Sequence, residues 1–416
     1  VNHQDWIWPI AALAVGGMIA RPWRTPEALW AALGAVLVTV TGLLSWAGAW
    51  RGVLAGGDVY LFLTGMMLLS ETARREGLFD WAARGALALA GGSRGRLFAL
   101  TYAIGVAVTA ILSNDATAVI LTPAVLAMTR AAKVPAAPFL FACALVANAA
   151  SFVLPISNPA NLVVFAGRPP ELLAWLTRFA APSAAAILVT GLVLAVAHRR
   201  ALRGDAAAAG ASAPLGPGGW TALAGLLLTA AGLLGASSLG WSLGPPTFIL
   251  GTATTGIVLA RGRGAPWPLL ARVNWSVLPL VAALFVLAAA VERSHATIDA
   301  AGLLGRLAAR AQDAAAVLAG ISAAILDNLA NNLPVGLLAR GTLHAAKASP
   351  RVTDAVLIGV DLGPNLSVSG SLATILWLAV LRREGEEMSF RRFLKIGALA
   401  MPPALAAALA VRLLLA

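Results

Sequence analysis

Charge is scarce in this chain: of its 416 residues 12% are Asp, Glu, Lys or Arg, while 59% are hydrophobic. An ordinary soluble domain carries about twice that charged share, so the excess apolar surface must face lipid. Cysteine is almost missing. The single thiol, Cys143, sits inside an apolar run, which excludes a disulfide framework or a thiolate cluster and leaves a small apolar filler. The four histidines (His3, His198, His295 and His344) fall in loops or near expected helix ends without HExxH spacing, so no metal or other cofactor is expected. The Walker GxxxxGK[ST] is missing too, which removes that ATPase route. An intramembrane enzyme would need a nucleophile and base or a metal triad, and neither stands out. Basic residues are present but dispersed. The net charge of +12 comes from 27 Arg and 3 Lys in short loops, such as Arg199, Arg200, Arg203, Arg382 and Arg383. Membrane topology and lipid headgroups account for them better than nucleic acid does.

What the sequence does contain is a succession of apolar runs, among them 28–50, 53–70, 179–197, 220–237, 274–291 and 393–415. At about 20 residues per crossing they imply roughly ten to twelve transmembrane helices. Continuous rather than alternating apolarity selects helices over a barrel. The expected class is therefore an all-α polytopic membrane protein. Residues 6–20 lack a basic leader and a clear small-residue cleavage site, so this run is expected to remain as a helix. The least membrane-like stretch, 198–219, reads HRRALRGD, then alanines, then Ser212, Pro214, Gly216, Pro217, Gly218 and Gly219. It divides the chain into 1–197, a polar linker at 198–219, and 220–416.

The two flanking stretches carry the same features in the same order. LSNDATAVILTP (112–123) precedes ANAASFVLPISNPANLVVF (147–165), and LDNLANNLP (326–334) precedes GVDLGPNLSVSGSLATILW (359–377). Asn114 and Asn328 are 214 apart, Asn148 and Asp361 are 213 apart, and the same 213 carries Ser157–Asn161 onto Gly370–Thr374. Pro123 and Pro334 break the offset, so the likeness is one of pattern. Polar, Pro- and Gly-containing interruptions at matching places mark a secondary transporter of two structural repeats with its solute held between broken helices, and the short loops make inverted topology the expected relation of the two. Each repeat is expected to contain a re-entrant hairpin, with its polar tip at 113–117 or 327–332, and an interrupted helix.

A broken helix frees backbone groups, and Asn, Ser and Thr side chains extend that set of donors and acceptors. Ser113, Asn114 and Thr117 would form one wall of a cage and Asn328, Asn331 and Asn332 the other. Asn148, Ser157, Asn158, Asn161, Asn365, Ser369 and Ser371, beside or within the unwound segments, would complete it. Carboxylates inside spanning segments are costly and usually functional, which singles out Asp115, Asp327 and Asp361 for proton or cation carriage. Glu71, Glu292 and Arg293 read as peripheral helix-end charges.

With these motifs the sequence resembles the arsenite/antimonite efflux permeases, the ArsB family of arsenical pump membrane proteins in the ion transporter superfamily. GSRGRLFALTY (92–102), SNDATAVILTP, PISNPANLVVF, NNLP (331–334) and DLGPNLSVSGSLATILWLAVL (361–381) match its segments in order and spacing nearly end to end. The resemblance implies efflux of arsenite and antimonite across the bacterial cytoplasmic membrane in exchange for protons, alone or with an arsenical pump ATPase. It also implies the two-repeat fold with hairpins. The chain departs from many members in having Asn148 where they have an acid. With one thiol available, the metalloid would be recognised as its hydroxylated species, and Asp115 or Asp361 would exchange the proton. The rival within the same fold is a sodium-coupled anion or dicarboxylate carrier or a sodium/proton antiporter, which two SNT-like tips would favour. This chain has SND and LDN.

Overall fold

The computed structural model describes residues 6–20, 22, 25–165, 169–207, 214–292 and 295–415. His3, Arg293 and the middle of the expected linker, including Ser212, lie outside them. Among the described residues there is no β-strand, only an isolated bridge between Ser93 and Asp205. The first half of the chain runs through helices Ile7–Ala20, Glu27–Val40, Trp46–Ala55, Gly57–Arg75, Leu78–Leu89 and Arg94–Ile111. It then continues from Asn114 through a π turn at Thr117–Leu121 into Thr122–Ala131, and on through Ala137–Ala149, Pro159–Val164 and Leu172–Ala197. The second half has helices Pro217–Ser238, Gly244–Arg261, Trp267–Leu270, Val277–Val291, His295–Arg310, Gln312–Ala330, Asn332–Ala345, Pro350–Leu362, Leu372–Arg383 and Phe390–Leu414. Proline repeatedly opens a helix, as at Pro138, Pro159, Pro217 and Pro350, where its missing N–H costs nothing.

Five of these helices are long and apolar enough to cross a bilayer, and the pair Trp46–Ala55 and Gly57–Arg75, bent by 43°, makes a sixth. Ten to twelve crossings are thus more than single long helices supply. Much of the remaining apolar sequence lies in shorter helices, such as Glu27–Val40, Ala137–Ala149 and Val277–Val291. The run 28–50 is not one span. It breaks after Val40, where Gly42 takes φ +74° and Ser45 caps a new helix by accepting from the Gly48 N–H. Leu188, Leu192 and Val196 stand exposed four residues apart, a lipid-facing ridge on Leu172–Ala197.

The main packing pairs fall in matching places. Gly57–Arg75 packs on Gly244–Arg261 as Val277–Val291 packs on Glu27–Val40, and Arg94–Ile111 packs on Ala137–Ala149 as Gln312–Ala330 packs on Pro350–Leu362. The last helices of the two halves, Leu172–Ala197 and Phe390–Leu414, pack on each other. With lipid tails as apolar as the helices, small residues and interhelical hydrogen bonds must hold such contacts. A Cβ on Gly251 would come within 2.4 Å of the Gly65 carbonyl oxygen, and one on Gly359 within 2.1 Å of the Gly320 carbonyl oxygen. Thr72 and Thr255 share a hydrogen bond of 2.9 Å across the first of these contacts.

One ion-pair network escaped the sequence analysis. Asp354, fully buried on Pro350–Leu362, accepts from Arg412 Nε at 3.0 Å and Nη2 at 2.7 Å, and Arg178 Nη1 lies 3.7 Å from its other oxygen. It ties the helix that carries Asp361 to the last helix of each half. Removing one partner of such a buried pair costs about 3–5 kcal/mol. Glu71, expected as a peripheral helix-end charge, is likewise buried and forked onto Arg74.

His198 caps Leu172–Ala197 half-buried, 5.6 Å from the Phe141 ring, and burial holds its pKa below the ordinary value. The described start of the linker is docked. Ala206 N–H donates to Gly92 O at 2.6 Å, Ala207 N–H to Ala132 O at 2.8 Å, and Arg94 Nε to Asp205 O at 2.8 Å.

The helix contacts predict that Gly359→Ala, which forces the Gly320 backbone away, lowers the melting temperature of the purified protein by several degrees. Gly235→Ala, with nothing within 4 Å of the added carbon, should leave it unchanged; equal melting of the two variants would show that this close approach carries no stability.

Candidate functional site

Helix Arg94–Ile111 stops at the first polar tip, where Ser113 is fully extended (φ 178°, ψ 167°) before the chain re-enters a helix. Ser113 Oγ accepts from Ala116 N–H at 3.2 Å, and Asn114 Oδ1 from Asp115 N–H at 2.9 Å, so both side chains satisfy the restart. Thr117, fully buried at the start of the π turn, shares a hydrogen bond of 2.8 Å with Thr109, which sequence analysis had not singled out. The Asp115 side chain is partly exposed and takes no hydrogen bond from the described residues.

The second tip breaks more sharply. Asn331 stands between helices at φ +72° and ψ 148°, a conformation rare outside glycine that costs on the order of 1–3 kcal/mol. Its side chain accepts from Leu333 N–H at 3.4 Å and donates to Ser369 O at 3.3 Å, while Asn332 N–H donates to Gly370 O at 2.9 Å. Asn328 Nδ2 donates to Ala324 O (2.7 Å) and Gly363 O (2.9 Å), and its Oδ1 accepts from Ser367 at 2.8 Å. Ser369 Oγ in turn donates to Asn328 O at 3.0 Å. The second tip is thus stitched to the interruption of its own half.

The interruptions themselves are short. After Ala137–Ala149 the backbone unwinds to a single 3-10 turn at Pro155–Ser157, and Asn158 caps Pro159–Val164 by accepting from Ala160 N–H at 3.0 Å. After Pro350–Leu362 the chain forms a turn at Gly363–Asn365, and Ser371 caps Leu372–Arg383 with Thr374 bonding back. Ser157 Oγ donates to Ala110 O at 3.0 Å, and Asn161 Nδ2 donates to Ser151 O at 2.9 Å and Leu154 O at 3.3 Å. These two side chains satisfy unwound backbone first.

The two interruptions meet. Asn148 Nδ2 donates to Asn365 Oδ1 at 3.0 Å, Ser371 Oγ donates to Asn148 Oδ1 at 3.2 Å, and Asn365 Nδ2 donates to Leu145 O at 3.0 Å. Asn158 Nδ2 donates to Asp361 Oδ1 at 2.5 Å. Asp327 packs on Gly363, two residues beyond Asp361, where an added Cβ would sit 2.6 Å from Asp327 Oδ2. Asn148, Asn158, Asn365, Ser371, Asp327 and Asp361 are all essentially excluded from solvent. The tip at 113–117 packs against Leu372–Arg383 and Ala137–Ala149, and Asn332–Ala345 packs against Pro159–Val164.

Several buried acceptors in this region have no hydrogen-bond partner among the described residues: both oxygens of Asp327, Oδ2 of Asp361 and Oδ1 of Asn161. Buried polar atoms are almost always paired, and a carboxylate left charged and alone in such surroundings is costly. The region therefore has capacity for a proton, a hydroxyl donor or a cation. Among the described residues no three His, Cys, Asp or Glu side chains cluster, and Cys143 is buried inside Ala137–Ala149. Ser151, beside Asp361, and Ser367 belong to the network although they had not been singled out. Both lie within the repeated motifs, so their position was the available signal.

Lipid-facing helices around buried polar breaks define a multi-pass membrane transporter rather than an enzyme. Residues 15–359 match the citrate transporter family, CitMHS. The arsenical pump membrane protein of Escherichia coli strain K12 is 30% identical, and the putative arsenical pump membrane protein of Bacillus subtilis strain 168 is 25% identical, each over 92% of this chain and 93% of the relative. In fold the chain is similar to the crystal structure of the Alcanivorax borkumensis YdaH transporter, with TM-score 0.51 and 18% identity over 88% of this chain and 86% of that one. The chain belongs to the ArsB family of arsenical pump membrane proteins, within the CitMHS/ion transporter superfamily.

Since Asn148 and Asn365 bond directly, Asn148→Ala and Asn365→Ala should be non-additive in thermal unfolding. A double-mutant cycle should give a coupling of about 0.5–3 kcal/mol; additive losses would mean that the amides do not meet.

Proposed function

We propose that the chain exports arsenite and antimonite in exchange for protons, holding the hydroxylated metalloid where the two interruptions meet. The observation that carries this reading is the cross-chain cluster of Asn148, Asn158, Asn365, Ser371 and Asp361, with unpaired acceptors beside it. Trivalent oxyacids present hydroxyl groups that both donate and accept. Asn and Ser side chains meet both needs, and Asp oxygens accept the donated hydrogens. With one buried thiol, Cys143, the cluster has nothing to offer a multi-thiolate complex.

In this proposal Asp361, with Asp327 next to it, carries the proton, and Asp115 serves the first tip. Loading the solute brings hydroxyl donors to Asp361 and displaces its proton to one side; loss of the solute lets a proton from the other side return. Ser113, Asn114, Thr117, Asn328, Asn331, Asn332 and Ser369 shape the two walls, while Ser157 and Asn161 hold the unwound backbone behind them. The matched packing pairs and the tips at 113 and 331 support two repeats of inverted topology, each with a re-entrant hairpin. Coupling to an arsenical pump ATPase belongs to the same reading and needs no ATP site in this chain.

The citrate transporter match makes a carboxylate anion the second reading. The carboxyls argue against it. No guanidinium or ammonium pairs with Asp327 or Asp361 among the described residues, so a dianion would meet uncompensated negative charge.

Everted vesicles under an imposed pH gradient should accumulate arsenite and antimonite, and neither a dicarboxylate nor sodium. Asp361→Asn should lower the gradient-driven arsenite rate at least tenfold with expression retained. Dicarboxylate accumulation without arsenite, or unchanged proton-driven arsenite transport in Asp361→Asn, Asp327→Asn and Asp115→Asn alike, would overturn the proposal.

A further inference from the structure

Away from the candidate site, a cavity of about 210 Å³ opens between helices Trp46–Ala55, Val277–Val291 and Asn332–Ala345. Close approach creates it: a Cβ on Gly52 would lie 3.2 Å from the Phe285 carbonyl oxygen, and one on Gly341 would lie 2.6 Å from Glu292 Cγ. Its apolar floor includes Phe285, Ala288 and Leu337, and its charged rim consists of Arg51, Arg340 and Glu292. No ion pair closes any of these three charges onto a described residue; Arg51 only donates from Nε to Ala47 O at 3.2 Å. Two cations and one anion line a single cavity without collapsing onto each other, which leaves room for a group carrying the opposite pattern of charge.

The surroundings identify the source of that group. On the helix that supplies Arg51, Trp46, Trp50 and Leu54 are 72%, 63% and 59% exposed and stand four residues apart, while Gly48, Gly52 and Ala55 face the cavity. Tryptophan on an outward face beside arginine marks the level where acyl chains give way to headgroups. A phosphate held between the guanidiniums gains charge-assisted hydrogen bonds, and an adjoining ammonium is matched by Glu292.

We propose that this cavity is a specific site for the headgroup of an aminophospholipid of the phosphatidylethanolamine type, its phosphate on Arg51 and Arg340, its ammonium on Glu292, and its acyl chains along Trp46, Trp50 and Leu54. Arg340 and Leu337 belong to the helix that starts at the second tip, so an occupied site braces that arm against Val277–Val291. The proposal does not depend on which solute is transported.

Native mass spectrometry of the full chain from nanodiscs of phosphatidylethanolamine, phosphatidylglycerol and phosphatidylcholine in equal parts tests it. The wild type should retain one phosphatidylethanolamine under activation that strips the other lipids. Arg51→Gln with Arg340→Gln should lower that retention at least tenfold at unchanged melting temperature in detergent. Glu292→Gln, the milder variant, should shift the retained lipid toward phosphatidylglycerol. Equal retention of the three lipids by the wild type overturns the proposal, as does ethanolamine-lipid retention indifferent to both variants. In lipid-free detergent, saturable binding of inorganic phosphate that the arginine variant abolishes, with no lipid retained by the wild type, would make the site one for free phosphate and overturn it too.

Discussion

Backbone groups released where a helix stops inside an apolar bundle have no water to turn to, and they must be satisfied by the protein itself. The rest of the architecture follows from that constraint. Four helices stop in or beside the buried centre, and at each stop the following residue types are those that can cap: Ser113, Asn158, Asn331 and Ser371 all accept from a backbone N–H of the next helix. Once those needs are met, the remaining amide and hydroxyl groups reach across the chain, Asn148 to Asn365 and Asn158 to Asp361. The bonds that mend the broken helices and the bonds that join the two parts of the chain are therefore one network. A solute that enters it must exchange with contacts already made, so binding and rearrangement are coupled by construction.

The two parts of the chain use the same plan with different chemistry. In the first, Thr109 and Thr117 close the tip and its acid, Asp115, is partly exposed. In the second, Asn331 holds a strained backbone, Asn328 is bonded on every side by Gly363, Ser367 and Ser369, and both Asp327 and Asp361 are buried. Buried carboxyl oxygens without a partner among the described residues therefore concentrate on the second part, where the proposed exchange puts its proton. Asp354 and its arginines hold the same helix two turns before Asp361.

The polar interruptions were legible because Pro, Gly, Asn and Ser inside apolar runs conflict with a continuous helix, and the offset of 213 aligned Asn148 with Asp361 and Ser371 with Asn158. The partners were not. Asn148 meets Asn365, 217 residues away, and periodicity says nothing about such distances. Ser157 and Asn161 looked equivalent to Asn158, but which polar groups face backbone and which face the centre depends on how the unwound segment turns. Single helices long enough to cross are fewer than the apolar runs for a related reason. Hydropathy over 28–50 is continuous, yet the turn at Gly42 divides it, and a window average does not register one turn. Asp354 was passed over because nothing in its local sequence shows that Arg178 and Arg412 converge on it.

The central claim is that solute and proton meet at Asp361. Infrared difference spectroscopy on the reconstituted protein tests it directly by following the carboxyl stretch as arsenite is added. Wild-type protein should lose a protonated-carboxyl band on binding, and Asp361→Asn should lack that change while Asp115→Asn keeps it. Saturable arsenite binding that leaves the carboxyl region of the wild type unaltered would contradict the shared site.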